Sequence, residues 1–135
     1  MDSVDRTTQL AATSRDGHLA LRRVERQQAL IERLHGARGR RLSLAELSYE
    51  FGVSVRTVAR DVERLRLSGV PLTSYQGRGG GVSLYPRHEL APLAFDFPEV
   101  AALISSLTAL GPTATPSAAS AMQKLTTALG SLTEE

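Results

Sequence analysis

The sequence predicts a mainly α-helical fold with one small β-hairpin and a C-terminal pair of helices, and three observations carry that prediction. Between Ser43 and Gly69 two helical patterns are hinged at one glycine, Gly52. Two short runs rich in β-branched and aromatic residues then flank Gly77-Arg78-Gly79-Gly80-Gly81. Beyond Pro92, apolar residues recur at helical spacing in two further stretches. At 135 residues the chain has room for one small domain and an appendage.

Residues 1 to 17 carry Asp2, Asp5, Arg6, Thr7, Thr8, Ser14, Arg15 and Asp16 among few apolar residues, too few to offset the entropy of ordering them. A mobile N-terminal arm is therefore expected over 1–18, a compact domain over 19–88, and a linker with a helical appendage over 89–135. From about Leu21, Val24, Leu30, Ile31 and Leu34 form one apolar stripe among Arg22, Arg23, Glu25, Arg26, Glu32 and Arg33, and Gly36 and Gly39 stop that helix. Gly36 to Arg41 reads as a basic turn.

Ser43 followed by Glu46 is a reciprocal capping pair, so the second helix starts there with Leu44, Leu47 and Phe51 on one face. Gly52 supplies the left-handed backbone of a tight interhelical turn. Ser54 caps the third helix, whose inward positions are Val55, Val58, Val62 and Leu65, and Gly69 followed by Pro71 ends it. Val70 to Tyr75 and Val82 to Tyr85 suit strands, and two strands joined by a glycine loop directly after a helix-turn-helix make a wing. In the appendage, Pro98 opens and Gly111 closes a helix with Val100, Leu103, Ile104, Leu107 and Leu110 on one stripe. A last helix begins near Ser117 and aligns Met122, Leu125, Leu129 and Leu132. These seams pack on each other, on the winged domain, or on a second copy of the chain.

The formal charge of +2 is unevenly spread: residues 18–88 sum to +7, residues 1–17 to −1 and residues 89–135 to −4. A localised positive field points to a polyanionic partner, or else is the solvated surface of an arginine-rich protein with 15 Arg and one Lys, Lys124. With the inward positions assigned, Arg56, Thr57, Arg60 and Arg64 face out. In a helix-turn-helix the start of the second helix of the motif enters the major groove of double-stranded DNA, and an arginine fork can pair with guanine O6 and N7. Arg40 and Arg41, with Arg38, could grip phosphates from the basic turn. Ser43 and Ser54 could add phosphate contacts, although capping is sufficient reason for both. Arg78 is the one long side chain among the wing glycines and suits a narrow minor groove, or stands at a plain hairpin tip. Asp61, on the same helix, either pairs with an arginine to hold the helix in place or accepts from a cytosine amino group.

Other classes lack support. The absence of cysteine removes disulfides, thiolate metal sites and zinc fingers. No apolar stretch reaches membrane-spanning length, and no export signal opens the chain, so a cytoplasmic protein is expected. His18, His35 and His88 stand at no ligand or catalytic spacing, and the glycine loop lacks the lysine of a nucleotide cradle. Neither an enzyme nor a cofactor is expected. A protein-docking module remains the rival to DNA binding, since winged helices serve both uses.

Residues 24 to 85 resemble the N-terminal winged helix-turn-helix of bacterial DeoR-type regulators, and more closely that of WYL-domain regulators. The resemblance rests on Leu44-Ala45-Glu46-Leu47, Phe51-Gly52-Val53-Ser54, Val55-Arg56-Thr57-Val58-Ala59-Arg60-Asp61-Val62, Gly69-Val70-Pro71-Leu72 and Gly77-Arg78-Gly79-Gly80-Gly81. Phe95 to Leu110 is similar to the helix after the wing in WYL proteins. It implies operator binding by the Arg56 to Arg60 region and by the wing. The chain departs from the family in having no ligand-sensing domain and no tryptophan, and in placing Phe97, a weak cap, where Ser or Thr is common. The expectation is either a piece of a longer regulator or a short, homodimeric regulator whose last helices dimerise, with any small-molecule effector left unassigned.

Overall fold

The computed structural model describes residues 2–78, 80–86, 89–111 and 115–130, with the backbone alone over 2–16. Gly79, His88 and Leu132, named above, lie outside them. The elements run α1 (Asp2–Gly36), α2 (Leu44–Phe51), α3 (Val55–Leu67), β1 (Leu72–Tyr75), β2 (Gly81–Leu84), α4 (Phe97–Leu110) and α5 (Pro116–Gly130). Two compact units result, Arg26–Leu90 and the pair of segments Met1–Glu25 and Ala91–Glu135.

The first unit is a winged helix-turn-helix. Leu30 and Leu34 of α1, Leu47 of α2, Val58, Val62 and Leu65 of α3, and Leu72, Val82 and Leu84 of the hairpin close one buried cluster, with Leu42 beneath it. Each contact is non-directional, so the helices also need fixed ends. At α2 the Ser43 hydroxyl accepts from the Glu46 N–H at 3.0 Å while the Glu46 carboxylate accepts from the Ser43 N–H at 3.2 Å. At its other end Gly52 sits at φ 64°, and the Val53 and Gly52 amides donate to the Ser48 and Tyr49 carbonyls. The end of α3 repeats this closure: Gly69 is at φ 102°, and Val70 N–H donates to the Leu65 carbonyl at 3.0 Å. Both turns therefore fall where the glycines predict them.

Sequence expectations for α1 and for Val55 are corrected. The first helix begins at Asp2 and not near Leu21, since residues 2–16 contain neither proline nor glycine and open with acidic side chains that favour a helix N-terminus. Val24 is exposed, and the buried stripe of α1 starts at Leu30. Val55 is 46% exposed because it opens the first turn of α3, ahead of the part covered by the other elements. Its place among the inward positions is taken by Asp61, which is 1% exposed and fills the slot between Val58 and Leu65.

A carboxylate there requires a partner. Arg26 of α1 grips Asp61 through Nε and, at 3.0 Å, through Nη2, and Gln27 Nε2 donates to the same carboxylate at 3.1 Å. The hydrogen bonds that Arg26 donates to the Asp61 carboxylate raise its pKa above the ordinary value, so the guanidinium stays charged. An arginine does hold the helix, as one of the two readings of Asp61 had it, and it comes from α1. Arg33 and Glu50 add a second, exposed clamp between α1 and α2 at 3.0 and 3.2 Å, which solvent screens and weakens.

The hairpin pairs Leu72 with Leu84 and Tyr75 with Gly81 in antiparallel register. An isolated bridge, invisible in the sequence pattern, adds Leu42 to the hairpin edge: Leu42 and Val82 exchange both backbone hydrogen bonds, at 2.9 and 2.8 Å. This ties the wing to the residue just before the α2 cap. Gly81 is needed for the approach, since a Cβ there would lie 2.2 Å from the Leu42 carbonyl oxygen.

In the second unit α4 and α5 pack on each other, one of the three arrangements expected. The weak cap attributed to Phe97 is overturned. Asp96 is the N-cap, its carboxylate accepting from the Glu99 N–H and Glu99 returning the bond to the Asp96 N–H, both at 2.9 Å. Val100 is buried and Ile104, Leu107 and Leu110 are half-buried, whereas Leu103 is 39% exposed and leaves the predicted stripe.

Two stability predictions follow from this anatomy. Asp61→Ala leaves a mostly buried guanidinium unpaired and is expected to lower the unfolding free energy in urea by about 3 kcal/mol, while Asp61→Leu combined with Arg26→Met recovers most of it. Gly52→Ala, which has open space around its added Cβ and suffers only the left-handed backbone, should cost about 1–2 kcal/mol, and Gly81→Ala more than that. Equal losses for the two glycines in the same titration would contradict the close Leu42 approach.

Candidate nucleic-acid interface

With Val58, Asp61, Val62 and Leu65 inward, a period of 3.6 residues places Arg56 and Arg60 on the opposite side of α3, with Arg64 beside them. All three are exposed, and none joins an ion pair among the described residues. Arg66, two residues further on, reaches Glu63 at 3.6 Å. The first turn of the helix is shaped by Ser54, whose hydroxyl accepts from the Thr57 N–H at 3.1 Å and lies 2.9 Å from the Thr57 hydroxyl. Ser54 and Thr57 are thus brought together, and Thr57 is half-buried rather than fully outward.

Before α2, the chain turns through Arg38 at φ 53° and Gly39 at φ 85°, with Arg40 N–H bonded to the Ala37 carbonyl at 3.1 Å. Arg40 and Arg41 are exposed on this turn. Arg41 lies with its guanidinium carbon 3.5 Å from the centroid of the Tyr75 ring, a cation–π contact between the basic turn and the wing. The wing itself closes through a Gly80 N–H to Gly77 carbonyl bond at 2.9 Å, which leaves Arg78 exposed at its tip. A cleft runs between the start of α2 and the wing, lined by Ser43, Leu44, Tyr75, Gly77 and Gly81 among others.

Three features escaped the sequence reading: Arg26 and Gln27 as partners of Asp61, Leu42 as a strand residue, and Tyr75 as the seat of Arg41. Each is a contact between distant segments, for which a pattern of local periodicity carries no signal. An arginine facing the stripe of α1 one turn before Leu30 was the nearest available hint for the first.

Residues 26–82 match a family model described as an HTH domain. The chain is also similar to an uncharacterized HTH-type transcriptional regulator, YobV, of Bacillus subtilis (strain 168), with 35% identity over 68 residues. That match covers 50% of this chain and 22% of the relative, so the chain spans about a fifth of the length of that protein. No solved structure matches. Among the described residues, no helix is long and apolar enough to cross a membrane.

Because Arg56 and Arg60 are exposed and engaged with no carboxylate, their removal should leave the fold intact. Arg56→Ala and Arg60→Ala are each expected to change the unfolding free energy by no more than about 0.5 kcal/mol, as judged by urea denaturation.

Proposed function

We propose that this chain binds double-stranded DNA as a sequence-specific transcription regulator of the DeoR or WYL-related type, with α3 in the major groove and the wing near the minor groove. The observation that carries this reading is the exposed row Arg56, Arg60 and Arg64, which joins no ion pair among the described residues and stands on a helix closed at both ends. The match to an HTH domain and the likeness to a relative named as a transcriptional regulator support the same class. In this reading Arg56, Thr57 and Arg60 meet base edges, and Arg64, Arg40, Arg41, Ser43 and Ser54 serve the phosphates. Arg78 reaches toward the minor groove. Residues 19–88 form the DNA-binding part, and no catalysis or cofactor is assigned.

The appendage is proposed to bring two copies together, giving a homodimer and a palindromic operator. Supporting this, Phe97 and Leu103 of α4 are exposed, as are Leu93 and Phe95 just before it.

Selection of bound duplexes from a random pool, with the mass of the complex measured alongside, tests the whole reading. Two copies of one half-site, about 34–36 Å apart, are expected. Arg60→Ala should relax base preference at one position by about 1–3 kcal/mol, whereas Arg40→Ala should weaken all sequences alike and lower the salt slope by about one unit. Indifference to any duplex at low salt would favour the protein-docking module instead.

A further inference from the structure

Val55 and Ala59 stand on α3 with no task in the core to explain them. Val55 opens the helix directly after the Ser54 cap, is 46% exposed, and takes no place in the cluster that Val58, Val62 and Leu65 help to build. A β-branched residue at an exposed helical position loses χ1 freedom for little burial in return, and in a first turn it offers no charge to the helix dipole. Ala59 is exposed one turn later. Residues three and four apart are neighbours on a helix surface, so Ala59 adjoins both Val55 and Arg56, and Arg56 adjoins Arg60. An apolar strip therefore lies against the arginine row. It is short, because the next residue along it is Glu63, whose carboxylate lies 3.6 Å from Arg66.

In the major groove guanine offers O6 and N7 to an arginine fork, whereas thymine offers one acceptor and a C5-methyl group, which suits an aliphatic side chain and not a guanidinium. The strip and the arginine row share the first two turns of α3, so they face neighbouring bases once that end of the helix is in the groove. Along the axis Val55 and Ala59 are about 6 Å apart, just under two base steps of about 3.4 Å. We propose that Val55 and Ala59 read thymine: their side chains pack on the C5-methyl groups of thymines within about two base pairs of the guanines that Arg56 and Arg60 engage. This rests on the DNA-binding reading above and adds to it an apolar half of the recognition code, carried by two residues outside the arginine set. It also gives the exposure of Val55 a use, and it confines the thymine contacts to the turns before Glu63.

The test takes the half-site that the full chain selects from the random pool and replaces each thymine in turn by deoxyuridine, which removes the methyl group and leaves the hydrogen-bonding edge unchanged. At one or two thymines of the half-site the replacement is expected to weaken binding about fourfold at fixed salt, the effect of one buried methyl-sized group. In the chain carrying Val55→Ser with Ala59→Ser, the thymine and deoxyuridine duplexes should bind alike. Val55→Ile, which keeps an aliphatic side chain, should retain the ratio of the parent. Each ratio is taken within one chain, so a change in the folded fraction cancels from it. Where the serine pair lowers the melting temperature, Val55→Gln with Ala59→Gln, a better helix former, takes its place. A parent chain indifferent to every thymine methyl, a half-site without thymine, or the ratio of the parent persisting in the double variant would each overturn the proposal. A chain that selects no duplex from the pool brings down the DNA reading itself, and this proposal with it. One that selects a site but ignores its methyl groups loses the thymine contacts alone.

Discussion

The Arg26–Asp61 clasp decides which way the third helix faces. Val58, Val62 and Leu65 press α3 onto the core, but apolar contacts have no direction and would allow the helix to roll. A carboxylate gripped by a planar guanidinium and a glutamine amide does not allow it, because those bonds weaken steeply once their angles change. With Asp61 pointing inward, Arg56 and Arg60 have only the opposite side available. The desolvation of the two charges offsets much of their attraction, so the clasp contributes more to the orientation of the helix than to the net stability of the fold.

The backbone closures set the remaining geometry. Gly52 and Gly69 end α2 and α3 with the same pair of turn bonds, so the lengths of both helices and the corner between them are set locally. The Leu42–Val82 bridge then joins the wing to the start of α2, and Gly81 allows the two backbones to approach. Through these bonds the amino end of α2, the basic turn and the wing belong to one structure, and the cleft between α2 and the wing is its consequence.

Charge is arranged on that frame by pairing some arginines and sparing others. Arg26, Arg33 and Arg66 are matched to Asp61, Glu50 and Glu63, respectively. Arg56, Arg60 and Arg64 have no such partner among the described residues, which leaves a positive row on one helix face. The excess of arginine over the segment 18–88 is concentrated on this face in part because Asp61, Glu50 and Glu63 are paired with other arginines.

Most of the helix-turn-helix was legible in the sequence because its determinants are local. A capping box at Ser43 and Glu46, a left-handed glycine at 52 and a cap at Ser54 each act within a few residues, and the hairpin announced itself by its glycines. The exposure of Arg56 and Arg60 followed from periodicity alone. The reach of α1 back to Asp2 and the Asp96 cap are also local: residues 2–16 hold no proline or glycine to stop a helix, and the aspartate beside Phe97 is itself the cap. Other features needed the folded chain. That Asp61 would be buried on Arg26, that Leu42 would join the wing, and that Tyr75 would carry Arg41 all depend on segments brought together from as much as 40 residues apart. Sequence by itself determined α2 and α3, their caps and the outward face that carries Arg56 and Arg60, since those follow from the backbone bonds and periodicity of each segment. Tertiary structure decided which charges are neutralised and which are left exposed, since a side chain finds its counter-charge only after the core has set the distance between them.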